Sequence, residues 1–269
     1  MDRCDLERLL DELYGSRTDW QHNGLQVEGR ERISRVVLGV SLCERLIEEA
    51  IADKADAIVV HHGFFGKGFL RVTGAMKCRL QPLLGHNINL FAYHLPMDAH
   101  PEVGHNALLA KSAGLHPDKY HEVGCYSNNP ERLTTAQLVA RISTYLDRRE
   151  VLYDTPILPS TAPSFCSITV CGTTRIWPTG PACLENAVPN RIYICSGGSA
   201  DMVGEIDADL FIFGEPKESC ISIAAERGIG LVGLGHWRSE QPGLWGLQDY
   251  LKAKCKDLTV NYVPISCDV

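Results

Sequence analysis

Apolar residues in the first third of the chain recur at helical and strand-like spacings in turn. Residues 2–13 carry leucines three and four positions apart, the spacing of one helix face. The β-branched run "RVVLGVSL" at 35–42 has the length and composition of a strand. Helical spacing returns at 43–55, and 56–62 ("DAIVVHH") is apolar without alternation, which is typical of a strand buried on both faces.

The same alternation continues to residue 114. A helix is predicted near 76–86, a strand at 88–94 ("INLFAYH") and a further helix that ends at Gly114. Apolar strands that alternate with helices require a parallel or mixed sheet covered on both faces. We therefore predict an α/β fold.

The chain changes character after about residue 120. Asn, Pro, Ser and Thr interrupt it, and one helix at 134–148 stands among strand-like segments such as "SITVCGTTRIW" and "NRIYICSGG". The earlier alternation returns with strands at 209–214 and 230–235, which we expect to complete the N-terminal sheet. The prediction is a two-domain chain, with a larger α/β domain formed by 1–122 plus 199–269 and a smaller α+β module inserted at 123–198.

Composition and charge narrow the class of protein. The 269 residues are 45% hydrophobic, enough for one large domain or two modest ones. A net charge of −7 with no long basic run argues against nucleic acid as a partner. The N-terminus "MDRCDLERLL" is charged and no run of about 18 apolar residues occurs, so we expect neither membrane insertion nor secretion but a cytoplasmic protein. The 11 cysteines are scattered without a CxxC pair, which favours buried reduced thiols.

Polar residues that can bind metal follow three predicted strands. They occur in "VVHHG", "YHLPMDAH" and "GLGHWRSEQPG". Because ligands bind at the carboxyl ends of strands in open α/β sheets, the three clusters could meet at one edge. Imidazole and carboxylate ligands together suit Zn, Fe, Mn, Co or Ni.

Each cluster also has a simpler interpretation. Adjacent residues of a strand point to opposite faces, so His61 and His62 should diverge unless the strand ends there, as Gly63 suggests. Asp98 could cap the following helix. His236 and Glu240, four residues apart, could reach one ion from a helical turn or could form a solvated surface pair.

The sequence leaves the roles of several other polar residues open. Arg238 and Lys67 are candidates for binding an anionic substrate, Arg because its planar fork matches phosphate, although both could be ordinary surface charges. His22, His100 and His105 lie near the clusters in sequence, and no role is assigned to them.

A competing motif is "GIGLVG" at 228–233, which satisfies the glycine spacing of a dinucleotide-binding loop. In that loop the glycines follow a strand and open a helix. Here Gly228 closes a predicted helix and the later glycines lie inside the next strand. We interpret the segment as a helix C-cap followed by a closely packed strand.

The sequence resembles the NGG-interacting-factor-three-like family, whose members are described as GTP cyclohydrolase 1 type 2 homologues. The resemblance rests on "WQHNGLQVEG", "VVHHGFFGKG", "YHLPMDAHPEVGHNALLA", "DLFIFGEPKE" and "GHWRSEQPG", in this order. It implies a two-domain α/β subunit in a toroidal homohexamer, with a dinuclear divalent metal centre facing the cavity. The segment 123–198 matches no recognisable block of the family, and Trp237 stands where a smaller side chain is expected.

The resemblance also implies roles for particular residues. The metal ligands would be His61, His62, Asp98, His236 and Glu240. Glu240 would bridge the two ions, His61 and Asp98 would bind one, and His62 and His236 the other, so that diverging histidines would serve different ions. His94 would line the site and, with Glu240, take part in catalysis.

Two functions are compatible with such a site. The first is a metal-dependent hydrolase, because two divalent ions with a bridging carboxylate can lower the pKa of a water molecule and so supply a hydroxide. Its substrate would be GTP or another nucleotide-like anion. The alternative is a non-catalytic metal-binding hexamer that serves as a scaffold or regulatory protein, since a fold does not determine a function. A protein without metal is a third possibility.

Overall fold

The computed structural model describes residues 1–16, 18–64, 71–150, 168–169, 174–183 and 186–266. These residues form two compact units. The first comprises Met1–Met97 with Gly243–Ile265, and the second is built around Asp98–Pro242. Each unit has its own sheet.

The predicted helices and strands have counterparts close to their ranges, and the structure adds short elements without a prediction, among them a strand at 24–27 and helices at 95–99 and 236–239. The helices are α1 (Arg3–Tyr14), α2 (Glu44–Ala52), α3 (Ala75–Gly85), α4 (Leu95–Ala99), α5 (His105–Ser112), α6 (Thr135–Glu150), α7 (Glu218–Arg227), α8 (His236–Ser239) and α9 (Pro242–Lys254). The strands are β1 (Gly24–Val27), β2 (Arg35–Ser41), β3 (Ala57–His62), β4 (Asn89–Ala92), β5 (Pro117–His121), β6 (Gly124–Asn128), β7 (Ile168–Thr169), β8 (Arg175–Trp177), β9 (Arg191–Cys195), β10 (Leu210–Phe213), β11 (Gly230–Gly233) and β12 (Thr259–Tyr262).

The sheet of the first unit has the order β1-β4-β3-β2-β12. β4, β3, β2 and β12 run parallel, and β1 is antiparallel at the edge. Every residue of β3 is buried, as its continuous apolar run predicts. Leu46 and Ile47 of α2 and Leu83 of α3 pack in one apolar cluster with Val37, Ile58 and other strand residues, so the core holds the carboxyl ends of three neighbouring parallel strands in place.

The sheet of the second unit has the order β5-β6-β9-β10-β11-β8-β7. Its three central strands, β9, β10 and β11, run parallel, and the flanking strands are antiparallel. Phe211 and Phe213 of β10 pack against Tyr193 of β9 and against Cys220 and Ala224 of α7. The carboxyl ends of β9, β10 and β11 therefore lie side by side.

The expectation that residues 209–214 and 230–235 complete the N-terminal sheet is wrong. β10 pairs with β9 from Leu210 opposite Ile192 to Phe213 opposite Cys195, and β11 continues that sheet. The physical reason is proximity along the chain, because consecutive strands usually become neighbours in one sheet. Of the C-terminal strands that the structure describes, β12 joins the first sheet, beside β2.

The rival glycine motif is resolved as predicted. Gly228 follows α7 in the left-handed conformation with φ 68°, and its N–H bonds the carbonyl of Ala225, which closes the helix. Gly230 and Gly233 belong to β11. No helix among the described residues combines the length and the apolar character that crossing a membrane requires.

Candidate metal centre

Three imidazoles of the first unit converge where β3 and β4 end. His61 and His62 are the last residues of β3, and His94 lies two residues beyond β4. Their ring centroids are 4.4 Å (His61–His62), 5.0 Å (His61–His94) and 5.5 Å (His62–His94) apart. One nitrogen from each ring falls within 4.8 Å of the others, so the three side chains could hold a metal ion.

The expected divergence of His61 and His62 is wrong, because their rings lie against each other. Both residues belong to β3, but His62 is its last residue and Gly63 follows, so the alternation of faces is not kept at this end of the strand. The Nδ1 atom of His61 lies 3.1 Å from the carbonyl oxygen of Tyr93, and that of His62 lies 2.9 Å from Oγ of Ser41. The two rings are thus anchored to the strands on either side of β3.

These anchors determine which ring nitrogens face the centre of the cluster. A carbonyl oxygen only accepts hydrogen bonds, so His61 carries its hydrogen on Nδ1 and presents the lone pair of Nε2. The Nδ1 atom of His94 lies 3.1 Å from Oδ1 of Asp19, which fixes the same tautomer. Hydrogen bonding of the second nitrogen to a carbonyl or carboxylate is typical of metal-ligating histidines.

Asp19 supports this cluster and was not anticipated from the sequence. Its side chain is 1% exposed and accepts hydrogen bonds from the N–H groups of Gln21 and Leu95, the amide of Asn23 and His94. Burial alone would raise the pKa of Asp19, but these hydrogen bonds outweigh it and lower the pKa, so Asp19 is a carboxylate. Nothing in its sequence neighbourhood marks it, since an aspartate in a loop is common.

The second unit places a histidine between two carboxylates. The Nε2 atom of His236 is 3.1 Å from Oε1 of Glu240, and its Nδ1 atom is 3.2 Å from Oε1 of Glu215. Burial lowers the pKa of His236, but the hydrogen bonds and charges of Glu240 and Glu215 raise it to about 9. The alternative of a solvated surface pair is wrong, because the Glu240 side chain is 4% exposed.

Glu215 was overlooked in the sequence although a signal was present. It lies two residues beyond β10, and His236 lies three beyond β11, so both follow neighbouring parallel strands. The rule that selected His236, that ligands gather at the carboxyl ends of strands, selects Glu215 equally well.

Asp98 belongs to the same edge of the second sheet. Its Oδ1 accepts a hydrogen bond of 2.8 Å from Oγ of Ser196, the residue that follows β9. Asp98 lies inside α4, and the residue before α5 is Gly104 with no side-chain cap, so the alternative role as a helix cap is wrong. Asn106 positions the loop by accepting the N–H of Ser196 and donating to the carbonyl of Asp98.

Gly197 allows Glu240 to reach His236. Its φ is +63°, a conformation that favours glycine, and a Cβ atom there would overlap Oε1 of Glu240 and lie 3.3 Å from Nε2 of His236. The N–H of Gly197 bonds Oγ of Ser239, which in turn donates to the carbonyl of His236. The loop after β9 and the turn of α8 are therefore fitted to each other.

Of the two candidates for anion binding, Arg238 and Lys67, the structure describes only Arg238. Arg238 is 3% exposed, and its guanidinium bonds Oγ1 of Thr174 at 2.9 Å and forms an ion pair with Asp147. These contacts hold it within the second unit, so phosphate binding stays a prediction. Lys67 lies outside the described residues. Trp237 is buried.

The remaining histidines take different positions. His22 is exposed, and its carbonyl accepts the amide of Gln26. The Nδ1 atom of His100 accepts the N–H groups of Glu102 and Val103, which closes the turn after α4. His105 is fully buried at the start of α5.

Together these features define a class, a mixed α/β protein in which His, Asp and Glu side chains that could bind metal gather at the ends of parallel strands. The chain belongs to the Duf34/NIF3 (NGG1p interacting factor 3) family, whose model matches residues 1–173 and 180–268. The resemblance seen in the sequence is thereby confirmed.

Curated relatives and solved structures agree with this assignment. The chain is 33% identical to the GTP cyclohydrolase 1 type 2 homolog of Escherichia coli (strain K12) and 35% identical to that of Yersinia pestis, over 98% of each chain. A solved structure of protein ybgI, described as of unknown function, matches all of both chains with a TM-score of 0.83 and 31% identity. The protein TTHA1606 from Thermus thermophilus matches with a TM-score of 0.78 and 28% identity over 100% of this chain and 99% of that one.

Proposed function

We propose that the protein is a metal-dependent hydrolase that acts on a nucleotide-like substrate. Two divalent ions would be held by the five residues of the family resemblance, His61, His62, Asp98, His236 and Glu240. The observation that carries the proposal is the convergence of His61, His62 and His94, with their ligand atoms within 4.8 Å of one another.

The donor set fits divalent metal ions. Imidazole nitrogen and carboxylate oxygen together suit Zn, Fe, Mn, Co and Ni, among which availability and geometry decide. His61 has the hydrogen-bonded second nitrogen that orients a metal-ligating ring. Glu240 is a buried carboxylate beside His236, and such a group needs a positive partner, which a divalent ion or the imidazolium supplies.

The chain's own residues would then orient the reactants. Bound divalent ions would supply Lewis-acid chemistry and lower the pKa of a water molecule. Asp19 holds the hydrogen of His94 on Nδ1, which leaves Nε2 to accept a proton from the reacting groups. Glu240, at the start of the segment that leads into α9, offers a carboxylate that would help to hold the ions or accept a proton.

An anionic substrate is compatible with a chain of net charge −7, because the ions place positive charge locally. The relatives from Escherichia coli and Yersinia pestis are named GTP cyclohydrolase 1 type 2 homologs, which favours GTP as the first compound to test. Lys67 and Arg238 remain candidates for contacts with phosphate.

The decisive experiment combines metal analysis with a nucleotide screen. The purified protein should contain divalent metal, with a stoichiometry of about two ions per subunit, and should hydrolyse GTP or a related nucleotide after loading with Mn, Zn or Fe. Glu240→Ala should abolish turnover. Glu49→Ala removes an exposed carboxylate of α2, paired with Arg45, and should leave turnover unchanged. Undiminished turnover in Glu240→Ala would disprove the proposed chemistry.

Two further measurements test the quaternary structure and the non-catalytic alternative. We propose a homohexamer, for which light scattering should give about six times the 29.7 kDa of the chain. Bound metal without turnover on any nucleotide would favour the alternative of a metal-binding scaffold or regulatory protein.

A further inference from the structure

Trp20 is an exposed aromatic side chain beside the histidine cluster. It is 50% exposed, whereas Trp237 and Trp245 are buried. Its ring centroid lies 5.1 Å from that of His94, with the two planes at 74°. A large apolar ring gains free energy by leaving water, so a ligand that covers the half-exposed indole beside the candidate site would be stabilised by that contact.

The backbone on both sides of Trp20 is fixed. Asp19, immediately before it, accepts the N–H of Gln21 at 3.0 Å and also holds His94. Gln21, immediately after it, is 4% exposed and donates its amide to the carbonyl of His61 at 3.0 Å. The indole is thus carried by two residues that are themselves bound to the histidine cluster.

We propose that Trp20 is the platform on which the planar heteroaromatic ring of the substrate stacks. This inference rests on the proposed function and deepens it by naming the residue that recognises the base. A nucleotide offers two groups to the site, an anionic phosphate and a flat ring. The metal ions would attract the phosphate, and the exposed indole supplies an aromatic surface held in position before the ligand arrives, which reduces the entropic cost of binding.

The test compares two ligands on the metal-loaded protein. GTP carries a base, and ribose 5-phosphate carries the sugar and phosphate without one. Trp20→Ala should weaken GTP binding by about 5- to 150-fold, the range for loss of one aromatic–base stack, and leave ribose 5-phosphate binding unchanged. Trp20→Phe, which retains an aromatic face, should bind GTP within about threefold of the parent protein. GTP should also quench indole fluorescence in the parent protein and much less in Trp20→Phe.

The outcomes separate this inference from the proposed function. If Trp20→Ala retains its metal and binds GTP as tightly as the parent protein, the proposed stacking on Trp20 is wrong and the hydrolase proposal stands. If Trp20→Ala weakens GTP and ribose 5-phosphate equally, base stacking is also wrong. If the metal-loaded parent protein binds no nucleotide, the proposed nucleotide substrate fails and the platform fails with it.

Discussion

Replacing Gly197 by alanine should loosen the loop after β9 and displace Glu240. Two costs are expected. A non-glycine residue at φ +63° costs about 1–2 kcal/mol in the backbone. The new Cβ would overlap Oε1 of Glu240 and lie 3.1 Å from its Cδ, so the carboxylate must move and gives up its 3.1 Å contact with His236. Loss of such a hydrogen bond by a buried polar group costs about 1–3 kcal/mol more.

Gly228→Ala provides a matched control within the same unit. Gly228 has nearly the same conformation, φ +68°, but a Cβ there would meet its nearest atom, Cδ of Pro181, at 4.0 Å. This variant should show the backbone cost of about 1–2 kcal/mol alone. The difference between the two variants therefore measures the contact with Glu240.

Urea denaturation of the metal-free proteins would measure the free energy of unfolding, and a metal titration would measure affinity. Gly197→Ala should be less stable than Gly228→Ala by about 1–3 kcal/mol and should bind metal about 10- to 100-fold more weakly than the parent protein, while Gly228→Ala binds it normally. Equal stabilities together with normal metal binding in both variants would refute the reasoning.

Three further changes test other parts of the site. Asp19→Asn removes the carboxylate that holds the Nδ1 hydrogen of His94, the proposed proton acceptor, and should lower kcat about 10- to 100-fold with little change in metal content; an unchanged kcat would contradict its supporting role. Because the pKa of His236 is raised to about 9, a metal ion must displace its proton, so calorimetry should show proton release and a metal affinity that increases up to about pH 9. In the metal-free protein the ion pairs of His236 with Glu240 and Glu215 stabilise the fold. This stabilisation is fully present below pH 6.5 and is lost as the pH rises through 9. Arg238→Ala should destabilise the protein by about 1–3 kcal/mol by removing the ion pair with Asp147, and a normal stability with a raised KM would instead favour phosphate binding.

The helices and strands could be predicted because their signals are local. The spacing of Leu46, Ile47 and Ala50 is that of one buried helix face, and all three are buried in α2. The continuous apolar run at 57–62 is a fully buried central strand. Sheet membership could not be read in the same way, because the apolar pattern of β10 is equally compatible with either sheet. What decides between the sheets is the pairing of β10 with the preceding strand along the chain, β9, and the apolar pattern does not record that pairing.

Candidate ligands were also easier to predict than the residues that orient them. His61 and His62 stand out because two imidazoles end a continuous apolar run. Asp19 is unremarkable in sequence, and it reaches His94 across 75 positions. A residue that orients another side chain can be recognised only from the structure, where the two are seen in contact.

The closeness of the His61 and His62 rings changes how these two side chains would be assigned to metal ions. Diverging rings would have assigned each histidine to a different ion by strand geometry alone. The observed rings are 4.4 Å apart and are held by Tyr93 on one side and Ser41 on the other. Because both rings face a common space, the assignment of His61 and His62 to separate ions in the proposed dinuclear centre would depend on the further ligands of each ion. Asp98 and Glu240 are oxygen donors of the kind that could make that distinction, and substituting them one at a time should remove the ions separately.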